Sequence, residues 1–239
     1  MCDSIKTNII LSYPRSGNHL VRFFVEMLSE TPTLGCLHNE LTDREMFRIK
    51  YSEELPFNIR KRKEWSDVYR KVHFIDELEQ LNEANKLIFI IRNPREVMLS
   101  HSQMNLDIIL KDKYEGQEPG QSDRSFTNYF RIIDYYNKCK GKKLLLFYED
   151  NMIDTRGFIE KLYDFLEIDN PEKKKYVLDN IDYLFKASAS YSSQGGGNKS
   201  KGKTKFYYDK LSEEDKTRFD NWLNPLLEKY PFIKEKYEI

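Results

Sequence analysis

Apolar residues in this chain occur as short continuous runs that alternate with stripes of helical spacing. The run at residues 86–91 is rich in β-branched residues, which is typical of a strand buried in a parallel sheet. The stripe at residues 158–166 repeats every three or four positions, as on one face of a helix. The pattern predicts strands at residues 7–11, 71–75, 86–91 and 143–148, and helices at residues 20–28, 76–81, 95–102, 126–139 and 158–166. This alternation predicts an α/β protein of three layers, with helices on both faces of a central, mainly parallel sheet.

Three polar stretches separate these elements. Residues 31–66 have little clean periodicity, and residues 111–123 carry the glycines and proline of a surface loop. Residues 187–205 contain Ser-Ser-Gln-Gly-Gly-Gly and a cluster of lysines, so this stretch is the best candidate for a mobile lid. The 239 residues show no internal repeat, and this length predicts a single domain over residues 1–239.

The loop between the first strand and the first helix carries the most information about chemistry. Residues 12–19 read Ser-Tyr-Pro-Arg-Ser-Gly-Asn-His. A tight strand-to-helix loop directs backbone N–H groups to one point at the positive end of the helix, which makes an anion site. Gly17 lets the backbone approach an anion, Ser16 adds a hydroxyl, and Arg15 adds a permanent charge with a planar set of donors. An ordinary turn is the alternative interpretation, and the loop is not a Walker A sequence.

A second strand-to-helix junction follows the run at residues 86–91. That run ends in Arg-Asn-Pro, where Asn93 suits the N-cap of a helix and Pro94 suits its first position. The junction places Arg92 at the strand end and Ser100 about two turns into the helix, where both could meet a second phosphate. Taken alone, Arg92 is equally consistent with a surface ion pair, and Ser100 with a solvated helix residue.

Together the two junctions resemble those of the sulfotransferase family, whose members use 3′-phosphoadenosine-5′-phosphosulfate (PAPS) and release 3′-phosphoadenosine-5′-phosphate (PAP). The resemblance rests on Tyr-Pro-Arg-Ser-Gly and on Arg-Asn-Pro with a serine eight residues after the arginine. It implies a P-loop NTPase-like sulfotransferase fold. It also implies that Arg92 and Ser100 bind the 3′-phosphate and that the first loop binds the 5′-phosphosulfate. The first-loop residues implied in donor binding are Arg15, Ser16, Gly17, Asn18, His19 and Leu20.

Three shorter motifs extend the resemblance over almost the whole chain. Lys-Val-His at residues 71–73 is similar to a Lys-x-His element whose histidine is the catalytic base. Tyr-Glu-Asp at residues 148–150 is similar to a strand end whose tyrosine lies near the adenine, which implies that Tyr148 contacts the nucleotide. Lys-Ser-Lys-Gly at residues 199–202 is similar to a C-terminal Arg-Lys-Gly loop, and it implies donor contacts from Lys199, Lys201 and Gly202.

Sulfuryl transfer needs a base for the acceptor proton and cations for the charge that develops on the leaving phosphate. A histidine suits the first role because its pKa lies near neutral pH, and the resemblance assigns that role to His73. Lys71 and Arg15 are the implied catalytic cations, while His38 and His101 are candidates for the acceptor side. The sequence therefore predicts a PAPS-dependent O-sulfotransferase that acts on a small-molecule or carbohydrate hydroxyl and needs no metal.

Two other functions remain open at this level. A non-catalytic member of the same fold, which binds a nucleotide or a partner protein, would share both phosphate sites but would not need His73. A small-molecule kinase on a related fold would need a Walker lysine and a magnesium-binding Ser or Thr. Neither stands at the expected position, so the kinase is the weaker alternative.

Composition bears on partners and location. The 39 basic and 39 acidic residues cancel, so the net charge gives no argument for binding to nucleic acid or a membrane surface. No apolar run approaches the roughly 18 residues of a membrane span, and the start of the chain lacks the pattern of a signal peptide. The cysteines show no metal-ligand spacing and favour a reducing cytoplasm; they are Cys2, Cys36 and Cys139. Acceptor identity and oligomeric state lie beyond the sequence.

Overall fold

A sheet of four parallel strands forms the centre of the computed structural model, which describes residues 7–30, 33, 68–79, 84–112, 125–188 and 206–239. The strand order is β2-β1-β3-β4. The strands are β1 (Thr7–Ser12), β2 (Tyr69–Val72), β3 (Ala84–Ile91) and β4 (Lys142–Phe147). This arrangement confirms the predicted α/β class with a parallel central sheet.

Helices occupy most of the described chain between and after the strands. In chain order they are α1 (Asn18–Ser29), α2 (Ile75–Glu79), α3 (Pro94–His101), α4 (Leu106–Leu110), α5 (Asn128–Lys138), α6 (Tyr148–Ile153), α7 (Thr155–Leu166), α8 (Pro171–Asp179), α9 (Ile181–Ala187), α10 (Glu213–Leu227) and α11 (Pro231–Tyr237), with a short 3-10 helix at Tyr208–Lys210. The periodicity predicted α1, α2, α3, α5 and α7 to within a few residues.

The two faces of the sheet bury separate hydrophobic clusters. Ile9 and Leu11 of β1 belong to one cluster, whereas Ile10 between them belongs to the other, because successive side chains of a strand point to opposite faces. Helices α3, α5 and α10 supply the first cluster, and α1, α7 and α8 supply the second. The strands are therefore covered on both sides, which explains their nearly continuous apolar sequence.

The boundaries differ from the sequence prediction at two positions that concern the site. The second strand runs from Tyr69 to Val72, and Ile75 already begins a helix. His73, predicted inside a strand at residues 71–75, lies in the turn between them because Glu77 takes the N–H groups of His73 and Phe74. The fourth strand ends at Phe147, and Tyr148 begins a helix rather than closing the strand. The predicted polar stretch at residues 31–66, apart from Thr33, lies outside the described residues. So do residues 113–123 of the predicted surface loop and residues 189–205 of the predicted lid.

Candidate active site

The candidate residues converge because the carboxyl ends of all four strands meet at one edge of the sheet. The loop at residues 13–17 follows β1, His73 follows β2, Arg92 follows β3 and Tyr148 follows β4. Strand β1 lies inside the sheet, where it pairs with β2 on one side and with β3 on the other. The chain therefore changes direction across the sheet after β2. A crevice at such a switch point is where open parallel sheets bind ligands.

The loop after β1 has the shape of an anion cradle. Arg15 and Gly17 both adopt left-handed backbone conformations, with φ of 72° and 92°, and glycine adopts such a conformation without steric cost. A Cβ atom on Gly17 would lie 2.5 Å from Cδ2 of Tyr148, so the aromatic ring packs directly against the glycine. Ser16 is only 1% exposed, and its Oγ has no hydrogen-bond partner among the described residues. Since buried hydroxyls are nearly always paired, this one is available to a ligand.

Arg92 connects the first loop with the second. Its Nη1 donates to the carbonyl oxygen of Arg15 at 2.9 Å, and its guanidinium lies 4.9 Å from the centre of the Tyr148 ring. The residue is 8% exposed, and its Nε has no partner in the described part of the chain. One buried N–H group of the positively charged guanidinium is therefore available to bind a ligand anion beside the loop.

His73 follows β2, which pairs with β1 on the side away from β3. Its ring is oriented by the carbonyl group of Ser12 at the end of β1. Nδ1 lies 2.7 Å from the carbonyl oxygen of Ser12, which can only accept, so Nδ1 carries the proton and Nε2 is free to act as a base. Burial lowers the pKa of His73 well below its usual value, and the charge of Lys71 lowers it further. The imidazole is therefore neutral at neutral pH.

Two side chains that the sequence analysis did not single out hold the backbone around His73. The carboxylate of Glu77 accepts from the backbone N–H of His73 at 2.8 Å and from that of Phe74 at 3.3 Å. The amide of Asn128 accepts from the N–H of Ile75 at 3.2 Å and donates to the carbonyl of His73 at 3.5 Å. Both residues are almost fully buried, so the turn that follows β2 is fixed from two sides.

The residues at the start of α1 have different surroundings from one another. Asn18 donates to Ser12 Oγ at 3.0 Å and to the carbonyl of Ile10 at 3.5 Å, so its donors face β1, although its buried Oδ1 has no partner among the described residues. Leu20 packs against the hydrophobic cluster that contains α1. His19 lies near enough to His73 to lower its pKa. Contacts of these three residues with the nucleotide PAPS stay predictions.

Of the remaining predicted residues, the structure describes Ser100. Ser100 is half-buried in α3, which Asn93 caps by accepting from the N–H of Arg95 at 2.9 Å, with Pro94 in its first turn. Lys199, Lys201 and Gly202 lie outside the described residues. Where the description resumes, the buried carboxylate of Glu96 accepts from the backbone N–H groups of Tyr207 at 2.6 Å and of Tyr208 at 3.1 Å. This contact ties the residues that follow the lysine-rich stretch to the helix that carries Ser100.

Buried aromatic side chains of the hydrophobic core surround His101. Tyr13 is 1% exposed, and its hydroxyl lies 2.9 Å from Nδ1 of His101. The Tyr13 ring packs edge-on against those of His101 and Tyr129, and Phe126 lies behind His101. His101 also contributes to the low pKa of His73, so the two histidines lie near each other. A role for His101 on the acceptor side stays a prediction, and His38 lies outside the described residues.

No group of three or more His, Cys, Asp or Glu side chains within the described residues is arranged to hold a metal ion. None of the helices that the structure describes combines the length and the apolar character needed to cross a membrane.

A parallel sheet with buried, unpaired polar groups of the described residues at two neighbouring strand-to-helix loops is typical of α/β proteins of the nucleotide-binding class. Within that class, a family model described as the sulfotransferase domain matches residues 6–231, and the chain belongs to the sulfotransferase family. The resemblance carried by the two loop motifs is thereby confirmed.

Individual relatives agree with this assignment. The chain is 28% identical over 178 residues to Sulfotransferase 1E1 of Rattus norvegicus, in a match that covers 67% of this chain and 59% of the rat protein. A crystal structure of mouse sulfotransferase SULT7A1 complexed with PAP is similar with a TM-score of 0.60 at 16% identity, over 98% of this chain and 88% of that one. A crystal structure of retinol dehydratase with retinol and PAP gives 0.51 at 17% identity, over 94% and 82%. The two structures confirm the predicted sulfotransferase fold.

Proposed function

We propose that this protein transfers a sulfuryl group from PAPS to a hydroxyl group of a small-molecule or carbohydrate acceptor. The observation that carries the proposal is a pair of buried donors without partners among the described residues, Ser16 Oγ and Arg92 Nε. They lie on two loops that the contact between Arg92 and Arg15 joins. PAPS has two separate anionic groups, so two joined cradles fit it, whereas a ligand with one phosphate would leave one cradle without a partner.

The position of each residue at the ends of the strands suggests which part of PAPS it would contact. Arg15, Ser16 and Gly17 would hold the 5′-phosphosulfate at the end of β1, and Arg92 with Ser100 would hold the 3′-phosphate. Tyr148, which packs against Gly17, would border the adenine. Lys199, Lys201 and Gly202 would add donors from the lysine-rich stretch. The PAP named in the structures of the two similar proteins supports this choice of nucleotide.

The chain's own residues supply the base and the charge. Bound PAPS supplies the sulfuryl group. His73 Nε2 takes the proton of the acceptor hydroxyl, and the carbonyl of Ser12 holds Nδ1–H and stabilises the imidazolium that forms. The positive charges of Lys71 and Arg15 stabilise the negative charge that develops on the leaving oxygen. Because its pKa is lowered, His73 is in the basic form at neutral pH before the acceptor arrives.

A small organic alcohol is the acceptor class that the comparisons favour. Retinol and androsterone are named in two structures of retinol dehydratase, and both are alcohols. A histidine base also suits an oxygen acceptor, and this favours O-sulfation over N-sulfation.

Calorimetric titration with PAP, with ATP and 5′-AMP as controls, tests the donor site. We expect micromolar binding of PAP and much weaker binding of both controls, since neither control carries a 3′-phosphate. Tight binding of ATP without a preference for PAP would contradict the assignment of Arg92 and Ser100 and would favour a kinase.

Release of PAP from PAPS with a panel of phenols, sterols, sugars and an aryl amine then tests the reaction. We expect turnover with at least one hydroxyl acceptor. Turnover with the amine alone would overturn the choice of oxygen. Tight PAP binding without turnover on any acceptor would favour a non-catalytic nucleotide-binding protein.

A further inference from the structure

The peptide unit between Arg92 and Asn93 is held at both of its polar groups. Tyr129 donates its hydroxyl proton to the carbonyl oxygen of Arg92 at 2.8 Å. The N–H of Asn93 donates to Oε1 of Glu149 at 3.0 Å. Since a peptide unit is planar, the two bonds fix the plane that follows Arg92, while Ile91 is held by its pairing with Phe147 in the sheet. The backbone of Arg92 is therefore held on both sides at the end of β3.

The second oxygen of Glu149 is held by a residue from a distant part of the chain. Tyr237, in α11, donates its hydroxyl proton to Oε2 of Glu149 at 2.8 Å. Its neighbour Lys236 pairs with Asp150 at 2.6 Å, and the Tyr237 ring packs edge-on against Phe147 at 6.2 Å between ring centres. Helix α11 is thus docked on the segment that carries Tyr148.

Burial and the nearby Tyr129 and Glu149 raise the pKa of Tyr237. The hydroxyl of Tyr237 therefore keeps its proton at every pH at which the protein is used, and it remains a donor to Glu149. A carboxylate with fixed donors on both oxygens has little freedom to rotate. Glu149 is in that state, so it presents a fixed acceptor to Asn93.

We propose that Tyr237 is a positioning residue for the donor nucleotide, and that it acts through Glu149 and the Arg92–Asn93 peptide on the arginine assigned to the 3′-phosphate. The inference rests on the proposed function for its ligand, but the contacts themselves do not depend on it. Helix α11 is thereby part of the donor site although none of its residues is assigned a direct contact with the nucleotide.

The size of the effect follows from what remains when the Tyr237 hydroxyl is removed. Arg92 keeps its bond to the Arg15 carbonyl and its contact with the Tyr148 ring, so the 3′-phosphate site is loosened and not destroyed. A hydrogen bond to a charged group is worth more than a neutral one, and water replaces part of it. We expect Tyr237→Phe to weaken PAP binding about five- to tenfold.

Tyr230→Phe is a matched control. Tyr230 also donates to a carboxylate in the C-terminal part of the chain, Asp134 at 2.9 Å, but that carboxylate lies on α5 and has no recorded contact with Arg92, Asn93 or Glu149. Both variants lose one tyrosine hydroxyl and its bond to an aspartate or glutamate, and Tyr230→Phe also loses a longer bond to the carbonyl of Phe130 at 3.3 Å. Their comparison separates loss of a buried hydrogen bond in general from loss of the one that leads to Arg92.

The experiment is calorimetric titration of wild type and both variants with PAP and with ADP, which has two 5′-phosphates and no 3′-phosphate. Tyr237→Phe is expected to lower the preference for PAP over ADP about five- to tenfold, and Tyr230→Phe to leave it unchanged. In an Arg92→Ala background, Tyr237→Phe should have no further effect, since the pathway through Arg92 is already lost. Equal preferences in the two tyrosine variants, or full additivity with Arg92→Ala, would overturn the proposal.

Hydrogen exchange at the Asn93 amide separates this proposal from the proposed function. Exchange is expected to be faster in Tyr237→Phe than in wild type or Tyr230→Phe, with no nucleotide present. A wild type that prefers PAP, with unchanged exchange at Asn93 in Tyr237→Phe, would overturn only the role of Tyr237. A wild type that does not prefer PAP over ADP, together with faster exchange at Asn93 in Tyr237→Phe, would contradict PAPS as the ligand. The contact pathway from Tyr237 to Asn93 would still be established. As a second variant, Glu149→Gln keeps an acceptor for Asn93, so it should lose less PAP affinity than Glu149→Ala.

Discussion

Arg92 combines a structural contact with a proposed binding role within one guanidinium. Nη1 is used to join the two loops through the Arg15 carbonyl, and the flat face lies over the Tyr148 ring. Nε has no partner among the described residues. A lysine has a single ammonium group on a flexible stem, so it cannot make both contacts at once. The identity of the residue as arginine, and not only its charge, is therefore expected to matter.

Two substitutions at Arg92 test this expectation. Arg92→Ala removes the charge and the fork and should weaken PAP binding about 100-fold, as for the loss of a well-made charged hydrogen bond. Arg92→Lys keeps the charge and should recover only part of that affinity. Calorimetry with PAP gives both values, and an affinity of Arg92→Ala equal to that of wild type would refute the assignment of the 3′-phosphate site.

His73 is expected to affect turnover without affecting donor binding. His73→Asn leaves a side-chain amide that can still donate to the Ser12 carbonyl, so the local structure is preserved while the base is removed. The rate of PAP release at saturating acceptor should fall about 100- to 10,000-fold. The dissociation constant for PAP and the Tm should remain those of wild type. A variant that turns over at the wild-type rate would remove His73 from the mechanism.

The lowered pKa of His73 predicts the position of the acid limb in the pH profile. A base must be neutral to act, so kcat/KM should stay constant well below pH 6.5 and fall only as the pH drops through the lowered pKa of the free enzyme. Lys71→Gln removes a positive charge that lowers this pKa, so its acid limb should move to higher pH even though its rate is reduced. An acid limb at or above pH 6.5 in wild type, or one that does not move in Lys71→Gln, contradicts the assignment.

At the scale of elements, the site consists of four strand-to-helix connections that share one edge of the sheet. The first of them depends on Gly17, because the Tyr148 segment after β4 packs against it. Its φ of 92° is left-handed, and a Cβ atom there would lie 2.5 Å from Cδ2 of Tyr148. A loop from the start of the chain and a helix from its middle thus meet at one residue that must be small.

Gly17→Ala should therefore damage both the fold and the donor site. We expect a loss of about 1–3 kcal/mol in the free energy of unfolding together with weaker PAP binding. Gly141→Ala is the control, because a Cβ atom there would lie 2.2 Å from the backbone oxygen of Ala84 at the opposite edge of the sheet, where β4 begins. That variant should lose stability and keep its affinity for PAP once folded, as measured by urea denaturation and calorimetry. Equal affinities for PAP in the two variants would contradict a role for Gly17 in the donor site.

Local patterns predicted the elements that bring the site together, but not the contacts between them. Buried strands and amphipathic helices leave a periodic signature, so β1, α1 and β3 could be found in the sequence. The start of a helix at Tyr148 could not be found in this way. Its ring contacts Gly17 and Arg92, which are distant in sequence, and such contacts leave no local pattern.

The supporting hydrogen bonds were missed for the same physical reason. Asn128 reaches the turn at His73, and Tyr237 reaches Glu149, across long stretches of chain. A single side chain that bonds to a distant backbone or carboxylate produces no period and no motif. The motifs named the residues proposed to bind the ligand, whereas the residues that hold the backbone around them became visible only in the fold.

At the scale of the whole molecule, each of the two hydrophobic clusters joins segments that are far apart in the sequence. The cluster on the α10 face extends from Ile9 in β1 to Ile233 in α11, and that on the α1 face from Ile10 to Leu184 in α9. Each strand of the centre contributes to both, because its side chains alternate between the faces. The sheet therefore couples the two clusters, and loss of packing on one face removes support from the other.

This coupling predicts that residues 1–239 unfold as one unit, as expected for a single domain. Phe219 and Phe158 are buried on opposite faces, at 0% and 2% exposure, and replacing a buried phenylalanine with alanine costs about 3–5 kcal/mol. In urea denaturation, Phe219→Ala and Phe158→Ala should each shift the midpoint of one shared transition without changing its slope. Ile153→Ala should shift it very little, because that side chain is 86% exposed. Two transitions, each moved by only one of the phenylalanine variants, would divide the chain into two domains along the faces of the sheet.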